Sequence, residues 1–245
     1  MVWGYFDETV VHRRVKTKDG HQYLPDQLLV GGCVSSLEKW KAFEPKWREA
    51  LDNENVTTFH AKEFYAFRKQ FEWYTPDGEK DWPRHAALRD RLADLIVEHV
   101  DEAMAFTAAV SVSGTEKAVY KRAYADGALR VLHDLSREVL RPSGGAHVIL
   151  ARHPDMPPWL LLRYFANFNW DNSLKGCGIF DPREVIPLQA ADFVCHAVNR
   201  SWNGLEAKSA KRLGEGLGKR GKQFHTQIAS SWNPPPEIFD VEPLS

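Results

Sequence analysis

Apolar residues spaced three and four apart recur in three clear stretches of the chain. Leu37, Trp40, Phe43, Trp47 and Leu51 form one helical face behind Ser35 and Ser36, either of which suits a cap, with Pro45 expected to kink the helix. Leu88, Leu92, Leu95, Ile96 and Val100 form a second, after Asp81 as cap and Pro83 in the first turn. The third is Leu188, Ala191, Cys195, Val198 and Trp202, behind Pro187. Short β-favouring runs lie at Val2 to Phe6, Gln27 to Val34, Ala105 to Val112, His147 to Ala151 and Gly176 to Phe180. Lys18-Asp19-Gly20 carries turn chemistry and predicts a hairpin-like connection between the first two. Thr57 to His60 reads as extended and Ala61 to Gln70 as a short helix. Tyr120 to Leu140 predicts a helix stopped at Pro142-Ser143-Gly144-Gly145, and Asp155 suits the cap of another containing Trp159, Leu162 and Phe165.

Strands first, then helices, then strand and helix in alternation predict an α/β fold, a mixed sheet flanked by helices. Residues 1–205 form one expected domain. In 206–245 the composition turns basic and glycine-rich, a density of glycine that opposes a long helix, before Pro234-Pro235-Pro236 marks an extended tail.

A chain of 245 residues suits one decorated core, and its 9 Trp, 13 Phe and 7 Tyr supply ample area to fill it. Lys and Arg total 32 against 33 Asp and Glu, so any attraction to nucleic acid must come from local charge. Cys33, Cys177 and Cys195 are too few and too scattered for a disulfide framework or a structural zinc, which fits a reducing cytoplasm. The sequence offers neither a signal peptide nor an apolar run of membrane-spanning length, so a soluble protein without a membrane partner is expected.

Chemistry concentrates in three places. On the third helix Gln189, Asp192 and His196 share a face apart from the apolar one, and a carboxylate on so apolar a helix needs an ionic partner such as Arg200, a solvated cleft or a metal. Asp7-Glu8 ends the first strand; adjacent strand residues point apart, so both reach one metal only if the chain turns there. His60 and Glu63, three apart, are able to share a helical face.

The order and content of these segments resemble an uncharacterised family, domain of unknown function thirty-eight hundred, whose fold is expected to be ribonuclease-H-like. Asp7-Glu8-Thr9-Val10 stands where the family has Asp-Glu-Ser-Gly, Phe59-His60-Ala61 matches its Phe-His-Ala piece, and Leu188, Gln189, Ala191 and Asp192 match its Leu-Gln-x-Ala-Asp helix. The likeness runs from Trp3 to about Arg200. It implies a nuclease or phosphodiesterase using Mg2+ or Mn2+, with Asp7 and Asp192 as shared metal ligands, Glu8 as another, and His60 and Gln189 as further catalytic residues. Two such ions, roughly 3.5 to 4 Å apart, clamp the attacking and leaving oxygens of a phosphodiester displacement.

Where a central acid is expected the chain reads Ala151-Arg152-His153-Pro154-Asp155, so Asp155 is the substitute ligand considered, with Asp181 and Glu184 as further candidates. Lys208, Lys211, Arg212, Lys219, Arg220 and Lys222 are the expected contacts to nucleic-acid phosphates. The missing acid supports the alternative of a catalytically silent module that binds a protein or nucleic acid. The Gly214 to Lys219 stretch lacks phosphate-loop spacing, and the ten His lack His-Glu-x-x-His spacing, which disfavours a nucleotide-binding loop and a zinc peptidase.

Overall fold

The computed structural model describes residues 1–11, 14–17, 20–23, 27–109, 133, 137, 144–152, 174–203, 205 and 207–228. The expected helix over Tyr120 to Leu140, apart from His133 and Arg137, the Asp155-capped helix and the Pro234 tail lie outside them. The elements are β1 (Val2–Val11), β2 (Arg14–Thr17), β3 (Gly20–Tyr23), β4 (Gln27–Ser35), α1 (Leu37–Asp52), α2 (Ala61–Ala66), α3 (Trp82–His99), β5 (Glu102–Ala109), β6 (Ala146–Ala151), β7 (Leu174–Phe180), α4 (Ile186–Trp202), α5 (Lys208–Lys219) and β8 (Gln223–Ile228). A single 3-10 turn, Lys69–Phe71, follows α2.

Six strands form one sheet in the order β7-β6-β1-β4-β5-β8, while β2 and β3 pair separately as the hairpin-like connection. Strand β4 is antiparallel to β1 and β5, whereas β6 runs parallel to β1 and β7 and β5 parallel to β8, so β4 alone opposes the other five. The chain is thus α/β, a mixed sheet flanked by helices, consistent with the ribonuclease-H-like class.

The strand pleat decides what meets the helices. Tyr5, Cys33, Ala103 and Ile149 share one side of the sheet and enter the main core with the aromatic residues of α1 and the apolar face of α4. Phe6, Val34, Met104, Val148 and Leu150 alternate with them on the other side and are also buried. Ser36 caps α1 by accepting from the Lys39 N–H, and Asp81 caps α3 by accepting from the Arg84 N–H. Helix α1 runs unbroken through Pro45. Trp40 fastens it to β1, its indole donating to the Trp3 carbonyl at 2.9 Å.

Three boundaries differ from expectation. Strand β1 continues past Asp7 to Val11, because Thr9, Val10 and Val11 pair with β4. Helix α2 stops at Ala66, where Phe67 turns left-handed at φ 53° to keep its ring in the core. The glycine-rich segment forms a 12-residue helix, α5, against its propensity. Leu213 and Leu217 are buried on it, and a Cβ at position 216 would lie 2.7 Å from the Val97 side chain, so glycine there lets α5 approach α3 closely. Tertiary packing outweighs the roughly 1 kcal/mol that each helical glycine costs. Strand β8, which the sequence pattern did not predict, extends the sheet beside β5.

Candidate active site

Helix α4 lies across β4 and β1, and one glycine sets how closely. A Cβ at Gly31 would come within 2.8 Å of the Cys195 Cα, so the bare backbone of β4 is what α4 rests on. Gly31 is also the cross-strand partner of Asp7. Asp192, one turn before Cys195, is thereby brought onto the same side of the sheet as Asp7, and both carboxyl groups border one cleft, where the Asp7 charge bears on Asp192.

Burial pushes Asp7 up to about 6, against the lowering hydrogen bond from the Glu8 N–H. Burial first, and then the Asp7 charge, hold Asp192 well above the ordinary carboxylate range. The other oxygen of Asp192 accepts from the Ala61 N–H at 2.7 Å, which ties the start of α2 to the pair. Asp192 is only 7 % exposed, yet it borders a cleft of about 600 Å³.

The cleft is walled by β1, by the loop and helix from Thr57 to Glu63, and by the chain ends after β6 and β7. Lys62, Lys69, Arg152 and Arg183 give its rim a positive edge, while Glu63 and Asp181 also face it. Asp181 is engaged by the Arg183 guanidinium, with contacts of 2.5 to 3.1 Å that hold its carboxyl down at about 2. Lys69 pairs with Glu63 at 2.5 Å. Gln70 fastens the wall by accepting from the Thr57 N–H and hydroxyl at 2.7 and 2.8 Å.

Two histidines reach the cleft. His60 precedes α2, and burial lowers its pKa below the ordinary value. His196 lies deeper, its Nε2 3.8 Å from an Asp192 oxygen, and burial, then His60, Arg200 and Lys62, push it down to about 4. Both imidazoles are therefore neutral near pH 7. The Cys195 thiol beneath the pair is held well above its ordinary range by burial and donates to the Leu29 carbonyl at 3.6 Å, so it is no nucleophile.

The structure brings Asp7, Glu8, His60, Glu63 and Asp192 to one cleft. Because β1 runs straight on, its pleat sends Asp7 toward α4 and Glu8 toward the opposite side. Gln189 belongs to the site's frame: its Oε1 accepts from the Trp47 indole at 3.1 Å and the Phe59 N–H at 3.0 Å, and its Nε2 donates to the Pro182 carbonyl at 3.1 Å. That corrects its catalytic assignment to a positioning one. The place of the expected central acid, at the end of β6, is taken by Ala151 and Arg152, and Asp155 lies outside the described residues. Among the described residues there is no group of three potential metal ligands.

The basic segment lies away from this cleft. None of Lys208, Lys211, Arg212, Lys219, Arg220 and Lys222 borders the cleft. Arg212 pairs with Asp90 and Asp94 of α3, Lys222 donates to the Val97 and Glu98 carbonyls, and Lys211 pairs with Glu215. The basic cleft residues that matter, Lys62, Lys69, Arg152 and Arg183, are scattered singly through the chain, so no local charge run announced them. Among the described residues no helix is long and apolar enough to cross a membrane. No family model, no curated protein and no solved structure matches the chain.

Proposed function

We propose that this protein is a divalent-metal-assisted phosphodiesterase acting on nucleic acid. One observation carries the reading: two buried acids, Asp7 and Asp192, converge from a strand and a helix on one cleft that Lys62, Lys69, Arg152 and Arg183 also line. Two buried acids forced together store repulsion that a proton relieves in part and a dication relieves further. The donor set suits Mg2+ or Mn2+, since a hard cation is commonly held by one or two carboxylates together with waters and substrate phosphate oxygens. Asp7 and Asp192 would hold it, with Glu8 the nearest further acid in sequence. When bound, such an ion supplies charge stabilisation at a phosphoryl oxygen and lowers the pKa of water.

The chain's own residues do the rest. Lys62, Lys69, Arg152 and Arg183 attract and orient phosphate oxygens across the cleft mouth. The His60 imidazole, neutral near pH 7, takes a proton from the attacking water, whose oxygen forms the new bond to phosphorus. The ester oxygen departs as that bond forms and takes up a proton from solvent. Gln189 keeps the His60 loop in place through the Phe59 N–H.

The rival reading, a silent module that binds a partner, is favoured by the arginine that occupies the end of β6 in place of an acid. Thermal melts with Mn2+, run beside cleavage of labelled single-stranded DNA and RNA, separate the two. An active site gives a Tm rise with Mn2+ and metal-dependent cleavage, both lost in Asp192→Asn. Oligonucleotide binding with no response to Mn2+ would leave the silent module standing and the enzyme reading refuted.

A further inference from the structure

Beyond the cleft, a second hollow of about 330 Å³ opens between α2 and the last turn of α4. Its walls are Lys62, Tyr65, Ala66, His196, Asn199, Arg200, Asn203 and Leu205, so Lys62 and His196 border both this hollow and the cleft. We propose that this hollow is a second subsite, which holds the base of the nucleotide next to the one in the cleft, and that the substrate is therefore a single strand. This rests on the phosphodiester reading above.

Four features suit an unstacked base. The Arg200 guanidinium lies 4.4 Å from the Tyr65 ring centroid, and the Tyr65 hydroxyl is 3.2 Å from the Ser209 hydroxyl, so the ring of the stacked pair is anchored to α5. A guanidinium held against an aromatic ring forms a flat surface on which any base can stack. Asn203 donates to both the carbonyl and the side-chain oxygen of Asn199, at 3.1 and 2.6 Å, which fixes the two amides in the wall where base edges would meet them. Leu205, 68 % exposed, adds an apolar lip.

The hollow's chemistry also differs from the cleft's. The cleft carries acids and a basic rim, whereas the hollow carries amides, an aromatic ring and cations, without an acid among its lining residues. That is a base-binding surface with a phosphate contact at Lys62, on the border a backbone must cross. A base pair enclosed in a duplex has no face free to enter a hollow of this size, so its nucleotide must first leave the stack.

The test is anisotropy of a labelled oligothymidylate with the full chain and Mn2+, in competition with thymidine 5′-monophosphate, a duplex hairpin and inorganic polyphosphate. The expected order of affinity is oligothymidylate first, with the hairpin and polyphosphate each weaker by at least about fivefold, since stacking of one base is lost. Leu205→Glu, an exposed substitution that places a negative charge on the lip, should cut the preference for oligothymidylate over the monophosphate by a similar factor, and Arg200→Gln should do the same. If both variants keep the wild-type preference while Lys62→Gln and Arg183→Gln weaken binding, the second subsite is overturned and the cleft reading survives. If the wild type binds none of the phosphate compounds, the phosphodiester reading falls and takes the subsite with it.

Discussion

Gln189 and Asp192 stand one turn apart on the same helix, both buried and both polar, and they are satisfied in opposite ways. Every polar atom of Gln189 meets a neutral partner: an indole N–H, a backbone N–H and a backbone carbonyl. Asp192 meets one backbone N–H and, at 3.8 Å, the His196 Nε2, and it feels the charge of Asp7. A neutral amide with complementary partners lowers the energy of the fold, whereas two buried acids facing one cleft raise it, an effect that the Ala61 N–H bond to Asp192 offsets only in part. Burial of a polar group is thus an ambiguous sign of function, and the identity of its partner resolves it. Gln189 holds three segments together, and Asp192 is the acid that our proposal assigns to a metal ion.

The sharpest way to break this contrast is Gln189→Leu. The variant strands the Trp47 and Phe59 N–H groups, each at about 1 to 3 kcal/mol when buried without a partner, so urea unfolding should show a loss of at least about 2 kcal/mol regardless of metal. A loss below about 1 kcal/mol would mean that water substitutes for the amide and the clamp is dispensable. Next in size is Gly31→Ala, which drives a Cβ into the Cys195 backbone and should cost about 1 to 3 kcal/mol. By lifting α4 it should also admit water to Asp7, whose titration burial raises, and that titration, followed by NMR, should drop from about 6 toward its ordinary value.

Much of the architecture was legible because periodicity and capping act locally. The faces of α1, α3 and α4, the Ser36 and Asp81 caps and five of the sheet strands follow from residues close together in sequence. What was not legible depends on contacts far apart. Gly216 makes α5 a helix only because Val97 lies against it, and Gly31 is informative only once Cys195 is seen over it. The same limit governs the site. Asp7, His60 and Asp192 were readable from motif-like segments, but the claim of Trp47 on Gln189 and the basic rim of Lys62, Lys69, Arg152 and Arg183 arise from tertiary convergence. The clustered cations after Ala207 drew attention by density, and the fold uses them elsewhere.

Asp192→Asn sharpens the comparison through pH. The asparagine Oδ1 can still accept from Ala61, and its Nδ2 can donate to Asp7, so the variant should keep its fold. In the wild type, Asp7 keeps its proton up to about 6 instead of 3.8, a contribution to stability fully present below 3.8 and lost as pH rises through 6. His196 acts in the opposite sense: its pKa falls from 6.5 to about 4, so its contribution is fully present above 6.5 and lost as pH falls through 4. The two limbs offset each other in the wild type. Asp7 stays buried in the variant and keeps its limb, whereas the Asp192 acid, held above its ordinary value by burial and the Asp7 charge, is gone, so the variant's Tm should exceed the wild type's by a margin that grows as pH rises above the ordinary carboxylate range. A variant less stable than wild type at neutral pH would show that Asp192 is a structural partner after all.

The smallest expected effect concerns the two basic regions. Neutralising Lys208, Lys211, Lys219 and Arg220 to Gln touches exposed side chains outside the cleft, so each change should move stability by no more than about 0.5 kcal/mol. Their effect on oligonucleotide binding should be equally slight. Phosphate contacts declare themselves in the salt dependence, each adding about −0.7 to the slope of log affinity against log salt on a single strand. The slope should therefore stay at the wild-type value in the α5 variant and flatten by about 0.7 for each of Lys62→Gln, Arg152→Gln and Arg183→Gln that removes a contact. The comparison is demanding because net charge changes in the same direction in both sets, and only position differs. A slope that flattens with the α5 substitutions and holds with the cleft ones would move the nucleic-acid surface to the other end of the sheet, beside β8, and leave the acid pair without a substrate.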